Sequence, residues 1–145
     1  MLRIILISTL FFIVYGLFAP LQAQTNDATA TIDAVNFYFP PNAYKFKVST
    51  EMKEYVKELK SFINENEGYT IKLDGFAQDG SNDDWNTRVS KYRVRAVRDL
   101  LLDFGVSNDK IEIEYFGRSN FISEGDSKRE LAKNRRVELR IIEEG

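Results

Sequence analysis

Apolar residues recur along this chain with two different periods. Between residues 50 and 66 they recur at helical spacing, and between residues 69 and 77 they alternate with polar residues as in a strand. Extended over the whole sequence, the patterns predict strands at 32–39 and 69–77 and around Ile113 and Leu139, with helices at 50–66, 82–104 and 127–133. The order is therefore strand-helix-strand-helix-strand-(helix)-strand.

Turn and cap residues fall between these predicted elements. Pro40 and Pro41 end the first strand, Ser49 can cap the first helix, and Gly68 and Gly105 follow the ends of the two long helices. Strand-helix-strand units favour parallel strands joined by right-handed crossovers, whereas the closing strand can pair antiparallel.

The first 23 residues have the pattern of a secretory signal peptide. Arg3 precedes an apolar run at 4–18, and a small residue, Ala23, follows at a plausible cleavage point. The alternative is a transmembrane anchor, but the run is shorter than the roughly 20 residues that a span requires. We therefore predict a signal peptide at 1–23, a linker at 24–31 and one domain at 32–145, with no membrane anchor left after cleavage.

Composition excludes several classes of site. The chain has 145 residues, enough for one domain, and contains no histidine and no cysteine. Serine-histidine-aspartate triads, cysteine-histidine pairs and ordinary zinc sites are therefore excluded. From residue 24 onward, 19 basic residues face 22 acidic ones, a net charge of −3 that gives no general attraction to nucleic acid. We expect no enzyme activity, no cofactor and no metal site.

One arginine lies on the apolar face of the predicted helix 82–104. Arg93 shares that face with Asn86, whereas the other basic residues of the helix gather on the opposite face as a solvated stripe. A buried guanidinium is costly unless it is paired. Arg93 either pairs with a carboxylate of its own chain, such as Asp79 or Asp83, or lines a pocket that receives a ligand carboxylate. Spacing alone does not decide between these accounts.

The acidic loop before this helix also admits other interpretations. Its alternating oxygen-bearing residues resemble a calcium loop, but Asp84 stands where that pattern needs glycine and Ser90 where it needs glutamate. Capping of the helix by Asn82 and Asp83 explains the same residues. A glycosidase built on Asp79, Asp83 and Asp84 has no sugar cleft in the sequence to support it.

Two sequence blocks resemble one known family. They are Asn86-x-x-Val89-Ser90-x-x-Arg93 and Asn134-Arg135-Arg136-Val137-Glu138, and they follow Gly75 in the family's order. From about residue 32 to its end, the chain resembles the OmpA-like C-terminal, peptidoglycan-binding domain family. The resemblance implies an α+β fold in which a mixed four-stranded sheet packs against helices.

The same resemblance implies a function and a set of residues. Members of the family bind peptidoglycan non-covalently in the periplasm, in association with the outer membrane or the cell wall, through the diaminopimelate of the stem peptide. An arginine grips the ligand carboxylate. Matching the motifs places Arg93, Asn86, Arg135 and either Asp79 or Gln78 at the ligand site.

One departure from the family pattern bears on this function. The family has Gly-His-Thr-Asp where this chain has Gly-Phe-Ala-Gln, so that Gln78 stands at the aspartate position. Asp79 can substitute only if the backbone turns at the strand end, because a one-residue slip within a strand reverses the side chain. Two hypotheses follow: a wall-binding module, or a scaffold for an envelope protein with peptidoglycan affinity weakened or lost.

Overall fold

The computed structural model describes residues 32–144, and the predicted signal peptide and linker lie outside these residues. The elements are β1 (Val35–Tyr38), α1 (Thr50–Glu65), β2 (Tyr69–Gly75), α2 (Asp83–Asp103), β3 (Ile111–Tyr115), α3 (Lys128–Asn134) and β4 (Arg136–Glu143). A single 3-10 turn at Asn108–Lys110 precedes β3. The predicted order of elements is confirmed, including the short helix before the last strand. Among the described residues, no helix is both long and apolar enough to cross a membrane.

The strands form one mixed sheet in the order β1-β4-β2-β3. β2 and β3 are parallel and are joined through α2, whereas β4 runs antiparallel to both of its neighbours. The α+β class with a mixed four-stranded sheet is therefore confirmed. Because β4 lies between β1 and β2, the ends of three strands meet near the start of α2.

The core lies between the sheet and the two long helices. Its buried members come from alternate strand positions, from one face of α1 and of α2, and from the residues just after β1 and α2: Phe37, Phe39, Val56, Leu59, Ile63, Ile71, Leu73, Val94, Val97, Leu101, Val106, Val137 and Leu139. The strand alternation read from the sequence thus selects the strand residues that fill this core.

The opposite face of the sheet carries charged residues. Cross-strand register aligns three carboxylates, because Asp74 lies opposite both Glu114 and Glu138. Like charges in such positions are destabilising unless they are compensated. Each carboxylate has a cation from a neighbouring strand position, in the pairs Lys72–Glu114, Arg140–Asp74 and Arg136–Glu138. We call these three pairs the sheet-face ion pairs.

Helix caps and a close approach position the start of α2. The Asn82 side chain accepts a hydrogen bond from the Trp85 backbone at 2.7 Å, as the capping pattern predicted. β2 ends at Gly75, two residues before the predicted end. A Cβ at Gly75 would lie 2.6 Å from the Ser90 carbonyl oxygen, so that only glycine lets α2 pack this closely on β2.

Candidate functional site

Arg93 lies inside the protein, beneath the loop that joins β2 to α2. Its side chain is fully buried, as is that of Asp79 in that loop. Nη1 of Arg93 lies 2.7 Å from Oδ2 of Asp79, and Nη2 donates a hydrogen bond to Oδ1 at 3.0 Å. The two side chains therefore form a two-point ion pair, the geometry in which guanidinium and carboxylate fit best.

Backbone carbonyls complete the surroundings of the guanidinium. Nε donates to the Ala43 oxygen at 2.9 Å, and Nη2 donates to the Pro40 oxygen at 3.2 Å. Nη1 donates to the Phe76 oxygen at 3.4 Å. All three nitrogens thus contact protein oxygens. The arginine joins the segment after β1, the end of β2 and α2 at a single point.

The charge balance around Arg93 is reflected in its pKa. Burial lowers the pKa of the guanidinium from its ordinary value, whereas the hydrogen bond and the charge of Asp79 raise it. The positive charge of Arg135 lowers this pKa further. Because an arginine does not deprotonate in proteins, Asp79 is the group that makes its burial tolerable.

Asn86 holds the loop that carries Asp79. Its Oδ1 accepts a hydrogen bond from the Asp79 backbone at 2.7 Å, and its Nδ2 donates to the carbonyls of Gly80 at 3.1 Å and Asn82 at 2.7 Å. The Asp79 carboxylate is also tied to the segment after β1, because the Asn42 backbone donates to Oδ1 at 2.5 Å. The conformation of this loop therefore sets where the carboxylate lies.

Gln78 makes a different connection. Its Oε1 accepts a hydrogen bond from Nδ2 of Asn134 at 2.7 Å. Oδ1 of Asn134 in turn accepts from the backbone of Ile122 at 2.9 Å and of Ser123 at 3.1 Å. Gln78 thus fastens the end of β2 to the loop before α3, while the neighbouring residue, Asp79, supplies the carboxylate for Arg93.

The predicted site residues are brought together to different degrees. Asp79, Asn86 and Arg93 form one connected cluster, which we call the Arg93 cluster. Arg135 is nearly buried, at 7% exposure, and donates through Nε to the Phe39 carbonyl at 3.3 Å. Gln78 contacts Asn134 and has no hydrogen bond to the Arg93 cluster among the described residues.

Sequence reasoning missed two kinds of participant. Asn134 opens the Asn-Arg-Arg block, so its motif position was a signal for a role beside Arg135. The carbonyls of Pro40 and Ala43 had no side-chain signature at all, because every residue carries such an acceptor. Of the two carboxylates proposed as internal partners, Asp79 pairs with Arg93, whereas Asp83 lies 3.4 Å from Arg118.

The described residues contain no group of three or more carboxylates that could hold a metal ion. In the acidic loop, Asp79 is turned inward to Arg93 and Asp83 is turned toward Arg118. The loop oxygens therefore do not converge on one point, as a calcium site would require.

The OmpA family matches residues 38–135 of this chain, and the chain belongs to that family. The match includes the Arg93 cluster, Gln78 and Arg135. It also covers β2 and β3 in full and the last residue of β1, and it ends one residue before β4.

Two characterised relatives agree with this assignment. Outer membrane protein A of Buchnera aphidicola is 27% identical over 130 residues, which are 83% of this chain but 37% of that protein. The peptidoglycan-associated lipoprotein of Pseudomonas aeruginosa is 26% identical over 121 residues, 82% of this chain and 69% of that protein. This chain thus spans little more than a third of the Buchnera protein.

Solved structures show the same fold. The peptidoglycan-associated lipoprotein of Burkholderia pseudomallei superposes with a TM-score of 0.66 and 20% identity, over 74% of this chain and 89% of that one. The periplasmic domain of Helicobacter pylori MotB gives a TM-score of 0.61 and 20% identity, over 77% of this chain and 76% of that one. At these identities the likeness defines the fold alone.

Proposed function

We propose that this protein is a non-catalytic module of the periplasm that binds peptidoglycan non-covalently, through the diaminopimelate of the stem peptide. The observation that carries the proposal is the Arg93 cluster, in which a guanidinium at the family's arginine position already holds a carboxylate with two contacts. The name of the Pseudomonas relative, a peptidoglycan-associated lipoprotein, supports the same ligand.

In this proposal a ligand carboxylate replaces that of Asp79 on Arg93. Every nitrogen of Arg93 contacts a protein oxygen, so a ligand cannot simply add to the site. An exchange of one carboxylate for another leaves the buried guanidinium paired throughout. It therefore avoids the cost of several kcal/mol that an unpaired buried charge carries.

The displaced Asp79 then has a role of its own. The side-chain centre of diaminopimelate in a stem peptide carries a free ammonium group next to a free carboxylate, and Asp79 would be the nearest anion for that ammonium. Oδ2 of Asp79 lies 2.7 Å from Nη1 of Arg93, and no hydrogen bond from another described residue holds it. Displacement of Asp79 from Arg93 would therefore free this oxygen for a donor on the ligand. Asp79 would thus do what the family assigns to the aspartate at the position of Gln78.

Co-sedimentation with sacculi tests this function. The full chain, in a mild non-ionic detergent, is mixed with diaminopimelate-type sacculi, centrifuged, and measured in pellet and supernatant. Arg93→Lys keeps the charge but loses the two-point grip, so we expect it to leave the pellet. Arg129→Lys changes an exposed arginine of α3, outside both proposed binding surfaces, and should sediment like the unchanged protein. Equal sedimentation of the Arg93 variant, with its fold verified by circular dichroism, would contradict the proposal.

A second function is favoured by the completeness of the Arg93 cluster. Arg93 has its full set of partners without a ligand, and Gln78, at the family's aspartate position, is bound to Asn134. Both facts fit a scaffold that has lost peptidoglycan affinity and binds an envelope protein. A folded protein that stays in the supernatant and co-purifies with one envelope protein would support this alternative.

A further inference from the structure

The outer face of α2 carries aromatic and basic residues in one line. Trp85, Arg88, Tyr92 and Arg95 are spaced by three, four and three residues, which places them on a single stripe of the helix. All four are exposed. We call these four residues the α2 stripe. It faces away from the Arg93 cluster, which lies on the inner side of the same helix.

The exposed rings of this surface are unusual for a solvated helix face. Trp85 is 41% exposed and Tyr92 is 48% exposed, and Tyr44, 50% exposed, extends the surface by contacting Tyr92 with ring centroids 5.5 Å apart. Within residues 32–144, six large apolar or aromatic side chains are exposed by 40% or more, and Tyr44, Trp85 and Tyr92 are three of them. Aromatic residues are also weaker helix formers than alanine, lysine or glutamate, so Trp85 and Tyr92 gain α2 no helix propensity.

The simpler interpretation is that arginine side chains shield the exposed aromatic rings from water. The Arg88 guanidinium does lie 5.8 Å from the centre of the Trp85 ring. Tyr92 and Tyr44, however, contact each other and remain about half exposed. The stripe therefore presents flat, amphipathic rings next to guanidinium groups, a combination suited to a ligand with apolar faces and carboxylates.

We propose that the α2 stripe, with Tyr44, binds the glycan strand of peptidoglycan. Pyranose rings have C–H faces that stack on aromatic rings. A muramic acid that carries no stem peptide also has a free lactyl carboxylate, which guanidinium groups can bind. Trp85 and Tyr92 are seven residues apart, about 10.5 Å along the helix, which is close to the length of two linked pyranose rings. Successive sugars of one strand can thus stack on successive rings.

This inference rests on the proposed function, because both sites serve one polymer. The stem peptide at the Arg93 cluster and the glycan strand at the stripe are covalently joined, and both sites draw residues from α2. Simultaneous engagement would strengthen attachment beyond that of either site alone. The two sites remain separable by experiment because they contact different parts of the polymer.

Glycan strands stripped of stem peptides by an amidase test the stripe alone. Trp85 is the chain's only tryptophan, so its fluorescence reports contact at this surface directly. We expect the strands to change its emission saturably. Tyr92→Ala should weaken binding about fivefold to tenfold, the effect of losing one stacked ring. Tyr38→Ala removes an equally exposed tyrosine from β1, at 49% exposure, and should have no effect.

Three results would overturn the inference. They are an unchanged emission in the presence of stripped strands, equal affinity of the Tyr92 and Tyr38 variants, and equal binding to polyglutamate, which has carboxylates but no sugar rings. If the stem-peptide site is wrong but the glycan site is right, the experiments give a different set of results. Binding to stripped strands by the stripe, together with normal sedimentation of Arg93→Lys, would retain the glycan site and reject the stem-peptide site.

Discussion

Two ion pairs of this protein show how burial changes what a charge pair does. Arg93 and Asp79 are fully buried, and the closest approach of their charged atoms is 2.7 Å. Lys72 and Glu114, one of the sheet-face ion pairs, meet at 3.1 Å with 24% and 52% of their side chains exposed. Water can solvate either partner of the second pair, but neither partner of the first. The stability of the fold therefore depends on the Arg93–Asp79 pair, whereas the Lys72–Glu114 pair contributes little to it.

Removal of Arg93 should have the largest effect. Arg93→Ala leaves the Asp79 carboxylate buried without its partner and frees the three carbonyls that the guanidinium joins. We expect the free energy of unfolding to fall by about 3–5 kcal/mol. Urea denaturation followed by circular dichroism measures this, with the exposed Arg95→Ala as the control. A loss below 1 kcal/mol would mean that Arg93 is not needed by the fold.

A double-mutant cycle sharpens the comparison. Arg93→Ala and Asp79→Ala together should cost less than the sum of the single variants, because the second change removes the charge that the first left unpaired. We expect a coupling of about 0.5–3 kcal/mol from the same denaturation curves. Additive effects would show that the two side chains act independently, in conflict with their two-point contact.

Asn86 should matter next most. Asn86→Ala removes the acceptor for the Asp79 backbone and the donor for the Gly80 and Asn82 carbonyls. We expect a loss of about 1–3 kcal/mol, since buried polar groups lose their partners. Hydrogen exchange should also accelerate at the Asp79 amide. Unchanged exchange there would show that another contact holds the loop.

The sheet-face pair should have the smallest effect. Lys72→Ala is expected to cost less than about 1 kcal/mol, and added salt should reduce the difference from the unchanged protein, because salt screens exposed charges. Denaturation at low and high ionic strength measures both. A large, salt-independent loss would place this pair in the same category as Arg93 and Asp79.

Several features of the fold could be predicted from the sequence because they follow from periodicity. Helical periodicity placed Arg93 on the apolar face of α2, and strand alternation placed Val137 and Leu139 in the core, because these patterns follow from backbone geometry alone. Element order and the mixed sheet were predicted on the same basis and on the family resemblance. The end of β2 was placed two residues too late, because the close approach of α2 at Gly75 is a tertiary contact.

The sequence limited the internal partner of Arg93 to a few candidate carboxylates but did not distinguish between them. Asp79 and Asp83 were equal candidates, and the choice depends on the path of the loop that Asn86 holds. The carbonyls of Pro40 and Ala43, about 50 residues upstream of Arg93, reach it only through the folded topology. Strand alternation also could not decide whether Gln78 or Asp79 faces Arg93, because β2 ends at Gly75, before either residue.

The exchange of carboxylates on Arg93 is the central claim, and nuclear magnetic resonance tests it most directly. A soluble stem peptide ending in diaminopimelate is titrated into isotope-labelled protein while the Arg93 Nε–H and Asp79 amide signals are followed. The account predicts that both signals shift together and saturate at the same peptide concentration, as the ligand carboxylate displaces Asp79. Stationary signals at saturating peptide would contradict it and leave Arg93 and Asp79 as a structural ion pair.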